Sequence, residues 1–148
     1  MVHRRNVLKV MAVAGMISLG AGMAAGAELA LKGYDPVAYF TDKRATLGNA
    51  QFRHEWDGAT YQFVSAKHLE LFKADPDRYL PQYNNWCAAS VAKGEKVYGN
   101  PEYWLVEDGR LYLFGKPVGP NLMRTDASMK GTADKNWSAV SRLPNPAR

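Results

Sequence analysis

Apolar positions along the chain change period several times, and each change marks an element. Phe52, His54 and Trp56 alternate with Arg53 and Glu55, the period-2 signature of a half-buried strand. Asp57-Gly58 follows, a pair suited to a two-residue hairpin turn. Thr60-Tyr61-Gln62-Phe63-Val64 reads as the returning partner. Ser65 then caps a helix running to about Ala74, and Asp75-Pro76 restarts a shorter one that carries Tyr79. Cys87 to Lys93 is small, apolar and closed by Gly94, a short helix or turn. Asn100-Pro101 opens a further turn. Trp104-Leu105-Val106 and Leu111-Tyr112-Leu113-Phe114 flank Glu107-Asp108-Gly109-Arg110, a second hairpin. Between Asp126 and Arg142, Met129, Ala133, Trp137 and Val140 recur at helical spacing, weakened by Gly131. No internal repeat, low-complexity run or linker is expected. The pattern predicts one small α+β domain of antiparallel hairpins packed with short helices.

The first 27 residues follow another rule. Residues 2–9 are basic, Val10 to Ala27 carry no charge, and Ala25-Gly26-Ala27 offers small residues for cleavage before Glu28. Arg4-Arg5-Asn6-Val7-Leu8-Lys9 resembles a twin-arginine signal, and Gly15, Gly20, Gly22 and Gly26 keep the apolar stretch only moderately greasy. Residues 1–27 are therefore expected to be a signal peptide, and residues 28–148 a periplasmic protein with no membrane segment after cleavage.

This changes the charge picture. The whole chain is +5, but removing Arg4, Arg5 and Lys9 leaves 16 basic residues against 14 acids. So mild a balance, with no dense basic patch, argues against a nucleic-acid partner. A single cysteine excludes an intrachain disulfide and any all-cysteine metal site. Met123 and Met129 are the only methionines after residue 27, which excludes a methionine-rich copper carrier. No nucleophile motif, phosphate-cradling loop or His-Glu-x-x-His pattern occurs, so the chain is expected not to be an enzyme.

Gly33-Tyr34-Asp35-Pro36-Val37-Ala38-Tyr39-Phe40 resembles the opening of secreted bacterial YHS-domain proteins. The resemblance continues through His54-Glu55-Trp56-Asp57-Gly58, Tyr61-Gln62-Phe63-Val64-Ser65, Phe72 to Tyr79, Pro81-Gln82-Tyr83, Cys87-Ala88 and the Trp104 hairpin. It covers a core of residues 31–114 and leaves 115–148 as an extension. It implies a compact hairpin-and-helix unit associated with metal handling. Where metal-associated members of that family carry three cysteines, this chain has Ala38, Val64 and His68.

Three side chains could supply ligands. Cys87 is the only thiol, His68 lies toward the apolar face of its helix, and His54 shares a strand face with Phe52 and Trp56. Together they would offer two imidazoles and a thiolate, suited to copper or zinc. Each also has a structural reading: a buried thiol, a histidine at the edge of the core, an imidazole packed between aromatics. Tyr34, Asp35, Tyr83 and Trp86, with Tyr39 and Tyr103 nearby, could line a pocket or serve as framework, and Asp35-Pro36 reads as a turn or cap. The leading expectation is an exported YHS-like domain binding a transition metal, copper first, or a periplasmic protein partner. The alternatives are a metal-free module for a small ligand or protein, and a thiol redox accessory acting through Cys87.

Overall fold

The computed structural model describes residues 28–147. The expected signal peptide, residues 1–27, lies outside the described residues. The elements run β1 (Glu28–Leu29), a 3-10 turn (Ala30–Gly33), α1 (Ala38–Thr41), β2 (Asn49–Trp56), β3 (Ala59–Phe63), α2 (Ala66–Ala74) and α3 (Pro76–Tyr79). They continue with a second 3-10 turn (Gln82–Asn85), α4 (Ala88–Ala92), β4 (Asn100–Glu107), β5 (Arg110–Phe114), α5 (Gly119–Thr125) and α6 (Met129–Val140). The α+β class stands. One sheet has the order β1-β3-β2, with β1 parallel to β3 and β2 antiparallel to it; β4 and β5 form a separate antiparallel pair.

Local chemistry explains most boundaries. Asp57-Gly58 and Asp108-Gly109 all have positive φ, between 47° and 77°, which is what a two-residue turn matching strand twist requires. Ser65 Oγ accepts from the His68 backbone N–H at 3.2 Å and starts α2. Pro76 opens α3. Asn100-Pro101 is not a separate turn, because both residues belong to β4, where Asn100 pairs with Phe114 ahead of a register shift. Helix α5 carried no recognised sequence signal.

The chain is built twice, contrary to the sequence expectation of no repeat. At a constant offset of 51 positions, Gly48-Asn49 matches Gly99-Asn100, Asp57-Gly58 matches Asp108-Gly109, and Tyr61 and Phe63 match Tyr112 and Phe114. The hydrogen bonds repeat as well. Asn49 Oδ1 accepts from the Gln51 N–H at 2.8 Å, and Asn100 Oδ1 from the Glu102 N–H at 2.9 Å. Each asparagine precedes a register shift within its hairpin. The Gly48 N–H donates to Gly33 O at 2.8 Å, and the Gly99 N–H to Asn85 O at 2.9 Å. The Asp35 N–H donates to Thr46 O and the Cys87 N–H to Val97 O, both at 2.8 Å. Both 3-10 turns contain three consecutive left-handed residues: Leu31, Lys32 and Gly33 in one, Tyr83, Asn84 and Asn85 in the other. Gly48 and Gly99 are required by close approach. A Cβ at either would come within 2.5 Å of backbone atoms.

Strand β5 is the wall between the copies. Leu111 and Leu113 enter one core with Val37, Tyr39, Phe63 and Phe72, whereas Tyr112 and Phe114 enter the other with Cys87, Val91, Leu105 and Met123. A strand buried on both faces needs no polar alternation, which accounts for the run Leu-Tyr-Leu-Phe. Each such side chain contributes on the order of 1.5–3 kcal/mol by leaving water. Tyr39 ties the copies together: its hydroxyl donates to Pro101 O at 2.8 Å, and its ring meets Trp104 edge-on at 5.2 Å.

Candidate functional site

Asp35 is fully buried and its carboxylate has four partners. Oδ1 accepts from the Val37 and Ala38 N–H groups at 2.8 and 3.3 Å, turning the chain into α1. Oδ2 accepts from the Val64 N–H at 2.9 Å and lies 2.6 Å from His68 Nδ1. A carboxylate only accepts, so Nδ1 carries the proton and donates it to Asp35. That fixes the imidazole and directs Nε2 the other way, 3.2 Å from Thr41 Oγ1 and 3.7 Å from Asp42 Oδ1. The expected turn role of Asp35 holds, joined by a buried hydrogen bond to His68 that sequence did not suggest. Thr41 and Asp42 were not anticipated as partners of His68.

The proposed ligand trio is not assembled. Among the described residues, no three His, Cys, Asp or Glu side chains come together to hold a metal. His68 is held in the first core by Asp35. His54 sits edge-on to Phe72, with ring centroids 6.3 Å apart. Cys87 is 5% exposed and belongs to the other core, with Ala88, Val91 and Phe114. The repeat gives the reason: Cys87 occupies in the second copy the place that Asp35 occupies in the first. The helix that follows the second hairpin, α5, carries no histidine to stand where His68 stands in α2. The thiol therefore faces apolar packing. A redox role, which needs an accessible thiolate, meets a buried one.

The four expected pocket residues also separate. Tyr34 donates to Glu102 Oε1 at 2.9 Å, and that hydrogen bond, with burial behind it, raises its pKa. Tyr83 donates to Asp134 Oδ1 at 2.8 Å, and burial first, then that bond, raise its pKa. Both act as framework across the chain. Tyr39 is framework too, and Tyr103 packs beside the second core.

Only Trp86 of the four borders the principal cleft, an open space of about 650 Å³. Both left-handed turns line it, through Leu31 and Lys32 on one side and Asn84 and Asn85 on the other. The tip of the first hairpin, Asp57 to Ala59, and Asn145 of the C-terminal tail also line it. The Trp86 and Tyr98 rings stack on one another, centroids 4.6 Å apart and tilted by 36°, and Lys96 Nζ lies over the Trp86 ring, 5.0 Å from its centre. Tyr98 and Leu29 remain 40% and 41% exposed. Tyr98 was missed because its role comes from the bridge between Trp86 and Tyr98, a contact made across a loop. Asn84-Asn85 is the residue type that tolerates left-handed backbone, a signal for a turn and not for a cleft wall.

A smaller depression of about 300 Å³ lies between Asp108, Arg110, Tyr112, Lys130 and Asp134. Lys130 is already engaged there by Glu107 at 2.8 Å and Asp108 at 2.6 Å. Among the described residues no helix is long and apolar enough to cross a membrane. Compared with known proteins, the chain matches no family model, no curated protein and no solved structure.

Proposed function

We propose that this chain is a non-catalytic, YHS-like binding domain, exported to the periplasm, that holds a small organic ligand in the cleft beside Trp86. The observation that carries this reading is the cleft itself. It is an open concave space of about 650 Å³ lined by Trp86 and Tyr98, by the apolar residues Leu29, Leu31 and Leu113, and by polar residues that include Asn84 and Asn85. The metal-free alternative is favoured over copper or zinc because the ligand trio is dispersed. His68 keeps a positioning role in the fold through Asp35.

Thermal unfolding of the purified protein against a mixed library of small organic molecules tests this. Binding raises Tm by mass action. At least one compound class should stabilise the wild type and lose that effect in Trp86→Ala, while elemental content shows no stoichiometric copper or zinc. Stoichiometric metal that disappears in His68→Ala would contradict the proposal.

A further inference from the structure

We propose that residues 141–147 form a detachable strap along the Trp86 cleft, one that sets how much of the cleft solvent and ligand can reach. Its use rests on the cleft being the binding site; its geometry does not. Val140, the final residue of α6, is 1% exposed and belongs to the second core. Backbone bonding runs on to the Leu143 N–H, which donates to Val140 O at 3.1 Å. Pro144 and Pro146 have no N–H and cannot prolong the helix. From there the chain is held by side chains of the cleft wall. Lys96 Nζ donates to Ser141 O at 3.1 Å and to Leu143 O at 2.8 Å. The Tyr98 hydroxyl donates to Pro146 O at a long 3.5 Å. Asn145, between these ties, lines the cleft. Lys96 also lies over the Trp86 ring, on which Tyr98 stacks. Tail, ties and wall therefore make one closed circuit of contacts, from Leu143 through Lys96, Trp86 and Tyr98 back to Pro146.

The ties are few and polar. Leu143 is 41% exposed, and residues 141–145 and 147 all lie at the surface. A segment held by exposed hydrogen bonds, with little apolar burial, opens well below the free energy of global unfolding. The two prolines act in the opposite sense. Their fixed φ leaves the free tail fewer conformations, so less entropy is lost when it lies down. Helix capping alone does not account for the arrangement. A lysine satisfies the last carbonyls of a helix, which covers Ser141 O. The bonded carbonyls of Leu143 and Pro146, and Asn145 in the cleft lining, lie past the end of α6. Opening thus withdraws Asn145 and frees Lys96 while both cores stay closed.

The test is protein NMR on the full chain, with a neutral gadolinium chelate as the solvent probe. The double variant Pro144→Gly, Pro146→Gly loosens the strap and leaves Lys96, Trp86 and Tyr98 in place. Lys96→Ala cuts the two shorter ties. In the wild type, heteronuclear NOE values at the Asn145 and Ala147 amides should match those of α6, and in both variants they should fall. Relaxation by the chelate should then rise at least about twofold at the Trp86 indole and the Asn84 and Asn85 amides, and stay unchanged at the Trp104 indole. Far-UV circular dichroism checks the fold, and the proline variant carries the test if Lys96→Ala does not fold. A tail as mobile in the wild type as in the variants would overturn the strap, and so would a tail that stays ordered in both variants. A loosened tail with no rise at Trp86, Asn84 and Asn85 would overturn its place on the cleft. No ligand enters the experiment, so a cleft that binds no compound in the thermal screen overturns the proposed function and leaves the strap to be judged on these signals.

Discussion

Asp35 Oδ2 and His68 Nδ1 stand 2.6 Å apart, both groups withdrawn from solvent, although 33 positions separate them in the chain. The second copy of the repeat makes the corresponding turn with Cys87 and without a carboxylate. The turn alone therefore does not demand Asp35. Its imidazole partner does, because a buried histidine N–H needs an acceptor.

Asp35→Ala should be the most damaging substitution in this network. It strands three backbone N–H groups and the His68 ring at once, and a cost of about 3–5 kcal/mol is expected. His68→Ala should cost less, about 1–3 kcal/mol, because Asp35 keeps its backbone donors. Urea unfolding of both single variants and the double variant checks this. A coupling of at least about 0.5 kcal/mol is expected, and strict additivity would contradict the pairing.

The buried phenols predict an alkaline transition. Burial raises the pKa of Tyr39, Tyr61, Tyr83 and Tyr112 above the ordinary value of 10.0, with the Asp134 bond adding to the effect at Tyr83. The folded chain thus favours the neutral phenol. That contribution is complete below pH 10 and is lost as pH rises, because the unfolded chain releases those protons first. Phenolate absorbance should show part of the eight tyrosines ionising smoothly and the rest in one step that coincides with loss of circular dichroism. Smooth ionisation of all of them in the folded protein would contradict the burial described.

Cys87 should be unreactive in the native state. A thiol reagent should modify it at the rate of opening rather than at the rate of a free thiol, and fully once denaturant is added. Immediate modification of the folded protein would place the thiol at the surface and restore the redox reading.

The duplicated glycines separate two physical effects. Gly48→Ala and Gly99→Ala force a Cβ to within 2.5 Å of backbone atoms, and each should cost at least about 1–3 kcal/mol through overpacking. Gly58→Ala and Gly109→Ala meet nothing within 4 Å, so only the positive φ is penalised, by about 1 kcal/mol. The costs should match within each pair. Urea midpoints that rank the four otherwise would count against equivalence of the two copies.

The hairpins were legible because Asp-Gly pairs fix a turn locally, and α2 because Ser65 is a local cap. The repeat was not legible. Its matching residues are scattered singly or in pairs, some held by backbone geometry and others by packing in the cores. Asp35 was readable as a turn residue, whereas its pairing with His68 depends on the sheet bringing Val64 and α2 back over α1. The cleft was the least legible feature. Its walls come from two distant turns, a hairpin tip and the tail, and only Trp86 stood out as an aromatic in a loop. The trio His54, His68 and Cys87 was plausible by residue type, and the partition of the chain into two cores keeps Cys87 apart.

The most direct measurement follows backbone and side-chain NMR signals during two separate additions, one of zinc or copper and one of the organic compound that most stabilises the protein. The account predicts that the compound shifts signals of Trp86, Tyr98 and Asn84, and that metal produces no saturable shift at His54, His68 or Cys87. Saturable, stoichiometric metal shifts at those three, with Trp86 silent toward every compound, would contradict it.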